Sequence, residues 1–356
     1  MPHALAARLL LGSKPGMSPT ATVLICTYNR ARALGETLDS LARMTVPPGV
    51  SWDVLVVDNN SSDETAAVVR GRQPAFPVPL HYLHEARQGK SYALNTGLAA
   101  GRSAFVVFTD DDVVVEPGWL QAAIAPMMAD ARIDYTGGRV YPIWEAPCPS
   151  WLDRERGELW GTIAILDYGP EPFVFEERQR VPLGANMAVR RSLIDAVGGF
   201  DPAFGRTGTS LLGQEQAEFF CRTHAHGARG LYAPEMALHH HVPAGRLTRN
   251  YFRRWWYWKG ISRSRLHRIH PRSDAGADLS QAARIAGVPL YAVKAMARHI
   301  VAGLGRLARR DIIGATRHEM MLAYYAGFAR EDWRSARSAG LTPRSGPPAH
   351  AGMTRA

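Results

Sequence analysis

The stretch Phe105-Val106-Val107-Phe108-Thr109-Asp110-Asp111-Asp112 decides how the chain is read. Four consecutive aromatic or β-branched residues describe a buried strand. That strand runs straight into three carboxylates, which repel one another and resist desolvation. Either they are fully solvated in a turn, or a hard cation such as Mg2+ or Mn2+ compensates them. The flanking segments decide between the two.

Upstream, Ala21-Thr22-Val23-Leu24-Ile25-Cys26 is a short apolar run of the kind found in central parallel strands, and the polar loop Thr27-Tyr28-Asn29-Arg30 follows it. Leu34, Leu38 and Leu41 recur at helical spacing, which predicts a returning helix over 33–44, ended by Pro47-Pro48-Gly49. A second strand, residues 52–57, ends in Asp58-Asn59-Asn60. Ser61, Ser62 and Asp63 then offer N-caps to a helix starting near Glu64. A third strand at 80–83 and a helix over 92–100, with Gly101 at its C-cap, lead into the aspartate-bearing strand. Alternating strands and helices predict a doubly wound α/β unit. Ligands of such sheets bind beyond the carboxyl ends of the strands, where three polar strand ends here share one rim. That rim suits a nucleotide.

A chain of 356 residues can bury one large domain or two. Its net charge of +10 and pI near 9.8 favour anionic partners. Cys26, Cys148 and Cys221 are too scattered for a disulfide framework or a zinc site and fit a reducing cytoplasm. The apolar patch from Ala4 to Leu11 is broken by Arg8 and too short to span a bilayer. Residues 1–19 are expected to form a flexible tail, 20–245 the α/β domain, 246–335 a basic, aromatic helical extension and 336–356 a second tail.

Four motifs in order carry a family resemblance: Val23–Arg30, Val56–Asp63, Gly89–Leu98 and Phe108–Asp112. Together the chain over residues 20–260 resembles family 2 glycosyltransferases. The resemblance implies a GT-A-like mixed sheet flanked by helices, with a C-terminal helical extension. It implies a nucleotide-sugar donor, a UDP-sugar most simply, and Mg2+ or Mn2+. The expected activity is inverting transfer of the sugar to a hydroxyl of a glycan or lipid-linked acceptor.

The same resemblance places Asp58 by the base or ribose, with Thr27, Tyr28 and Arg30 near it; the alternative is that Asp58 only caps the following helix. Arg30 and Lys90 are expected at the diphosphate or else as surface cations. Asn95 is counted with the donor site, although with Gly97 it also suits a purely structural role. Asp110 and Asp112 form the family's Asp-x-Asp pair, with Asp112 on the metal and Asp110 on the ribose or the metal's waters. Asp111, open to either face, is counted with the nucleotide contacts. In Leu238-His239-His240-His241-Val242-Pro243, His240 is implied as a further metal ligand, and strand alternation turns His239 and His241 to the other face.

Gly213-Gln214-Glu215-Gln216-Ala217-Glu218-Phe219 aligns with a family segment that has Glu-Asp where Glu215-Gln216 stand. Inversion needs a base for the acceptor hydroxyl, and glutamine cannot serve. Glu215 is therefore the expected base, with Glu218 second or anchoring its helix. A catalytically silent nucleotide-sugar binder is the reading that Gln216 keeps open.

Residues 141–177 read as a long loop over the acceptor site. From Arg246 to Gly260, arginines are interleaved with aromatics. Such a helix, over about 246–268, can lie at a membrane interface, giving a peripheral seat on the inner face, or pack across the catalytic domain. Nucleic-acid binding is disfavoured because no recognition-fold signature accompanies the basic patch. Residues 289–307 read as an amphipathic helix, and 311–330 as another.

Overall fold

The computed structural model describes residues 20–46, 49–152, 157, 159–175, 180–206, 210–271, 278–279 and 281–340. The expected N-terminal tail, most of the C-terminal one and the Pro47-Pro48 pair lie outside these.

The first half forms as its pattern predicts: β1 (Ala21–Thr27), α1 (Ala31–Ala42), β2 (Trp52–Asp58), α2 (Thr65–Arg72), β3 (Leu80–His84), α3 (Lys90–Ala100) and β4 (Phe105–Thr109). The four strands are parallel in the order β3-β2-β1-β4. Their side chains alternate between two cores: Val23, Ile25, Val54, Val56 and Val107 point one way, Leu24, Leu55, Val57, Val106 and Phe108 the other. Both faces are covered, which is why these strands read as unbroken apolar runs.

Local details differ from the pattern. Asp63 is not a simple cap: Oδ1 accepts from Thr65 N at 3.1 Å and Oδ2 from Ala31 N at 2.9 Å, so one carboxylate serves the starts of both α1 and α2. Gly101, at the C-cap of α3, has φ −75° and is extended rather than left-handed.

Beyond the aspartates come β5 (Val113–Val115), α4 (Trp119–Ala129), β6 (Tyr135–Gly137), β7 (Val140–Trp144), β8 (Phe173–Val174), β9 (Asn186–Arg190), α5 (Arg191–Val197), α6 (Glu215–Ala225), β10 (Gly230–Tyr232) and β11 (Leu238–Val242). The main sheet continues from β4 as β9-β6-β10-β8, with β9 antiparallel to both neighbours; a second sheet runs β5-β11-β7. Residues 136–140, contiguous in sequence, are thus divided between two strands in two sheets. The chain crosses between them at Gly138, where a Cβ would sit 1.8 Å from the Met236 carbonyl oxygen, so only glycine fits. The expected loop over 141–177 contains β7 and β8, because Val140–Trp144 finds a parallel partner in β11.

The C-terminal part comprises α7 (Arg249–Ile269), a short hairpin of β12 (Arg284–Ile285) and β13 (Val288–Pro289), α8 (Leu290–Ala308) and α9 (Ile312–Gly340), the last running past the expected domain end at 335. The aromatics of α7 that were candidates for lipid contact turn inward at two positions. Phe252 and Trp256 are buried, Trp256 Nε1 donates to Thr162 Oγ1 at 3.0 Å, and the Phe252 ring meets Trp151 edge-on at 4.9 Å. On another face α7 presses against α9. A Cβ on Gly260 would lie 1.9 Å from the Tyr324 carbonyl oxygen, and one on Gly327 1.9 Å from that of Tyr257. Charges close the seam: Arg249 and Arg253 both hold Glu319, and Ser264 Oγ donates to buried Asp332 at 2.6 Å.

Gly260→Ala is expected to destabilise the protein by about 2–3 kcal/mol, because backbone rather than a flexible side chain opposes the new methyl group. Urea denaturation checks this; an unchanged midpoint would show that α7 and α9 separate freely.

Candidate active site

Three elements bring the aspartates and their counter-charges together. Asp110, Asp111 and Asp112 follow β4, and Asp111 and Asp112 are buried. Arg30, the residue before α1, reaches across: its Nη1 lies 3.0 Å from Asp111 Oδ1 and 2.5 Å from Asp112 Oδ2. Lys90 begins α3 and puts Nζ 2.7 Å from Asp110 Oδ1. Gly89, with φ +144°, makes the turn that aims it. His240, fully enclosed on β11, has Nε2 3.3 Å from Asp112 Oδ1, and Arg246 approaches Asp112 Oδ2 at 3.8 Å.

The charges tune one another. Burial opposes ionisation of Asp112, but His240, Arg30 and Arg246 outweigh it and hold the carboxyl well below its usual range. Burial also opposes ionisation of Asp110, which Lys90 nevertheless keeps below normal. Asp111 is pushed up to about 6, chiefly by burial that Arg30 only partly offsets. Partial burial opposes the charge of Lys90 as well, and Asp110 and Glu215 keep its ammonium above the usual range.

Asp110, Asp112 and His240 can each offer one ligand atom, and these atoms lie within 4.8 Å of one another. Among the described residues Asp112 Oδ1 receives no directed hydrogen bond although it is buried, and neither does His240 Nδ1. Two carboxylates and an imidazole suit Mn2+ or Mg2+, and the underused Asp112 oxygen is the kind of buried acceptor that a cation satisfies. The residues therefore fit the expected metal. His239 and His241 point away, His239 to Glu116 at 2.7 Å and His241 to Glu145 at 3.3 Å.

These groups line a cavity of about 870 Å³, a volume suited to a nucleotide-sized ligand. Thr27, Tyr28, Arg30, Lys90, the three aspartates, Glu215 and His240 all face it. Two residues expected on the donor side do not. Asp58 accepts from Ser61 N and from the Tyr82 hydroxyl, both at 2.8 Å, so its carboxylate is engaged in shaping the turn after β2. Its neighbour Asn59 faces the cavity and also anchors the loop before α3, accepting from Gly89 N at 2.8 Å and donating to the Arg87 carbonyl at 2.7 Å. Asn95 clasps the Phe200 backbone, donating at 2.7 Å and accepting at 2.8 Å.

The start of α6 separates its polar residues by job. Glu215, the first residue, faces the cavity. Gln216 fastens the neighbouring segment, accepting from Gly184 N at 2.7 Å and donating to the Pro182 carbonyl. An aspartate here could not donate to that carbonyl. Glu218, the second candidate base, is buried outside the cavity lining and holds Arg222 through both oxygens at 2.8 and 2.7 Å. Arg222 in turn donates to the carbonyls of Gly198 and Gly199. Glu218 is therefore an anchor.

One wall is absent from the expected set. Arg246, at the end of the short helical turn Ala244–Arg246, and Tyr251, Arg254, Trp255, Lys259 and Arg263 of helix α7 line the cavity as well. Their density of arginine and aromatic residues was visible in sequence; that α7 folds back over the site was not.

The arrangement defines a GT-A type nucleotide-sugar transferase, and comparison with known proteins agrees. Residues 22–198 match the model of glycosyl transferase family 2, and the chain belongs to that family through this region. It is 28% identical over 228 residues to the succinoglycan biosynthesis protein ExoM of Rhizobium meliloti, covering 63% of this chain and 67% of that protein. It is 24% identical over 256 residues to a glucosyl-dolichyl phosphate glucuronosyltransferase of Haloferax volcanii, covering 71% and 79%. The fold is similar, with TM-score 0.58 and 19% identity over 93% of this chain and 94% of that one, to a mannosyltransferase of Pyrobaculum calidifontis solved with GDP-Man and Mn2+.

Two measurements test the site. Asp112→Asn is expected to weaken Mn2+ binding at least about tenfold, read by titrating the metal against thermal stability. Glu85 braces the loop before α3 by holding Arg87 and accepting from Thr96, and its carboxyl, held mainly by Arg87, lies at about 2. Its folded value is below its unfolded one, so its contribution is complete above about 4.5 and is lost as the pH falls toward 2. Glu85→Gln is expected to be less stable than wild type at neutral pH, with the gap closing across that window.

Proposed function

We propose that the protein transfers a sugar, with inversion, from a nucleotide-sugar donor to a hydroxyl of a glycan or lipid-linked acceptor, using Glu215 as the base. The observation that carries this is the placement of Glu215: it faces the same cavity as the aspartate cluster, and its charge acts on Lys90, whose ammonium is bound to Asp110. Donor-side and acceptor-side chemistry thus meet across one lysine.

Arg30 and Lys90 hold the aspartates ionised and leave cationic surface where a diphosphate enters. Tyr28, half exposed at the rim, offers a ring face to the base, and Asn59 offers its edge. Asp58 supports that rim by fixing the turn through Ser61 N and Tyr82; a UDP-sugar is the simplest donor for it. Mn2+ or Mg2+, held by Asp110, Asp112 and His240, would neutralise charge on the diphosphate leaving group. Glu215, presented at the start of α6, takes the proton from the acceptor hydroxyl as it attacks. The helix α7 wall supplies Arg254 and Trp255 to the acceptor side, a surface suited to an anionic or sugar-bearing acceptor.

Glu215→Gln is expected to lower kcat by about 10²–10⁴ while donor binding, measured by thermal shift with Mn2+, is retained. Glu218→Gln should instead lower the unfolding midpoint and leave kcat of the folded fraction near wild type. If Glu215→Gln turns over normally, the base lies elsewhere. If wild type binds donor and turns over none of it with any acceptor, the silent-binder reading takes its place.

A further inference from the structure

We propose that α8 seats the protein on an anionic lipid surface. Of the twelve large apolar side chains exposed among the described residues, seven fall between Val293 and Ile313. Within α8 they are Val293, Ile300, Val301, Leu304 and Leu307, with exposures of 39%, 48%, 72%, 62% and 52%. Their spacing of seven, eight, eleven and fourteen residues from Val293 places them on one stripe of the helix, and Ala297 completes it. Ile312 and Ile313, at the start of α9, extend the exposed apolar surface at 49% and 41%.

The opposite side of α8 is accounted for. Ala292 and Ala295 are buried, Gly303 lies close against His318 of α9, and His299 and His318 approach through their Nδ1 atoms at 2.9 Å. The outer stripe is thus not a core face left open by a missing contact with α9. An exposed apolar patch of this kind marks an interaction surface.

Charge selects the occupant. Helix α8 contains no Asp or Glu, while Lys294, Arg298 and Arg309 are exposed along one margin of the stripe. Residues 246–340 carry 19 Lys and Arg against 6 Asp and Glu. An apolar face bordered by cations on one amphipathic helix suits the acyl–headgroup boundary of a bilayer bearing anionic lipid. A second copy of the chain suits it less, because a two-fold contact would bring these basic margins toward their own copies. The helix lies on the surface rather than crossing it: no helix among the described residues is long and apolar enough to span a membrane. The membrane contact expected for residues 246–268 is thereby reassigned to residues 293–313, since α7 is committed to the cavity and to α9.

Lipid seating is independent of the donor chemistry and is tested without turnover. Full-length protein is sedimented with vesicles of phosphatidylcholine alone and of phosphatidylcholine mixed with phosphatidylglycerol. Wild type is expected to partition onto the anionic vesicles at least about tenfold more than onto neutral ones, less so at high salt. The double variant V301E/L304E, at exposed positions, should lose that binding by about tenfold or more while keeping the wild-type unfolding midpoint. Should it fold poorly, Lys294→Ala with Arg298→Ala should weaken anionic binding alone. Three results overturn the proposal: no binding of wild type to either vesicle, equal binding of V301E/L304E, or a lipid-free dimer that V301E/L304E converts to monomer.

Discussion

Crowding of three adjacent carboxylates at the end of β4, two of them buried and the third half-buried, is the constraint on which the rest of the structure depends. Left unpaired, each would be driven to protonate, and the strand end could not stay folded with all three charged. Arg30 answers two of them and Lys90 the third, with His240 and Arg246 behind. These groups come from the loop after β1, the start of α3, β11 and the turn beyond it. The catalytic rim is therefore a meeting of elements required by electrostatics before any ligand arrives.

The surrounding fold is arranged to keep those meetings in register. Asn186, fully buried opposite Thr109, accepts from Trp119 Nε1 and donates to the carbonyls of Arg139 and Met236. It ties β9 to the crossing between the two sheets, and the second sheet delivers His240. Asn59 does a comparable job in the donor half, holding the loop that presents Lys90. A lost bond at either residue would leave buried carbonyls or N–H groups without partners.

Division of labour within α6 shows how polar residues of similar type come to act differently. Glu215 is at the helix start and faces the cavity; Gln216 stitches residues 182–184; Glu218, one turn on, neutralises Arg222. Only position relative to the cavity separates the two glutamates, since they are chemically equivalent. Likewise α7 carries arginines and aromatics of one kind around its circumference. Packing sends Phe252 and Trp256 into the core and leaves Arg254 and Trp255 on the cavity wall.

The parallel half of the sheet was legible in sequence because its strands are covered on both sides, giving unbroken apolar runs between polar turns. The aspartate cluster, Arg30, Lys90 and Glu215 were legible for a related reason, since each stands at an element's end where local pattern breaks; His240, in mid-strand, was marked by the histidine triplet before Val242-Pro243. The short strands β5 to β8 were not, because segments of two to five residues owe their state to partners distant in sequence. Residue type could not separate Asp58 and Asn95, whose side chains close local structure, from Asn59, which reaches the cavity. Nor could composition tell that α7 would be enclosed while α8 remained open. By itself the sequence determined the α/β order, the acidic rim and the family, because these rest on local periodicity and contiguous motifs. Tertiary structure alone decided which charges neutralise the rim, which glutamate faces it and which helix face stays uncovered, because each depends on distances between segments far apart in the chain.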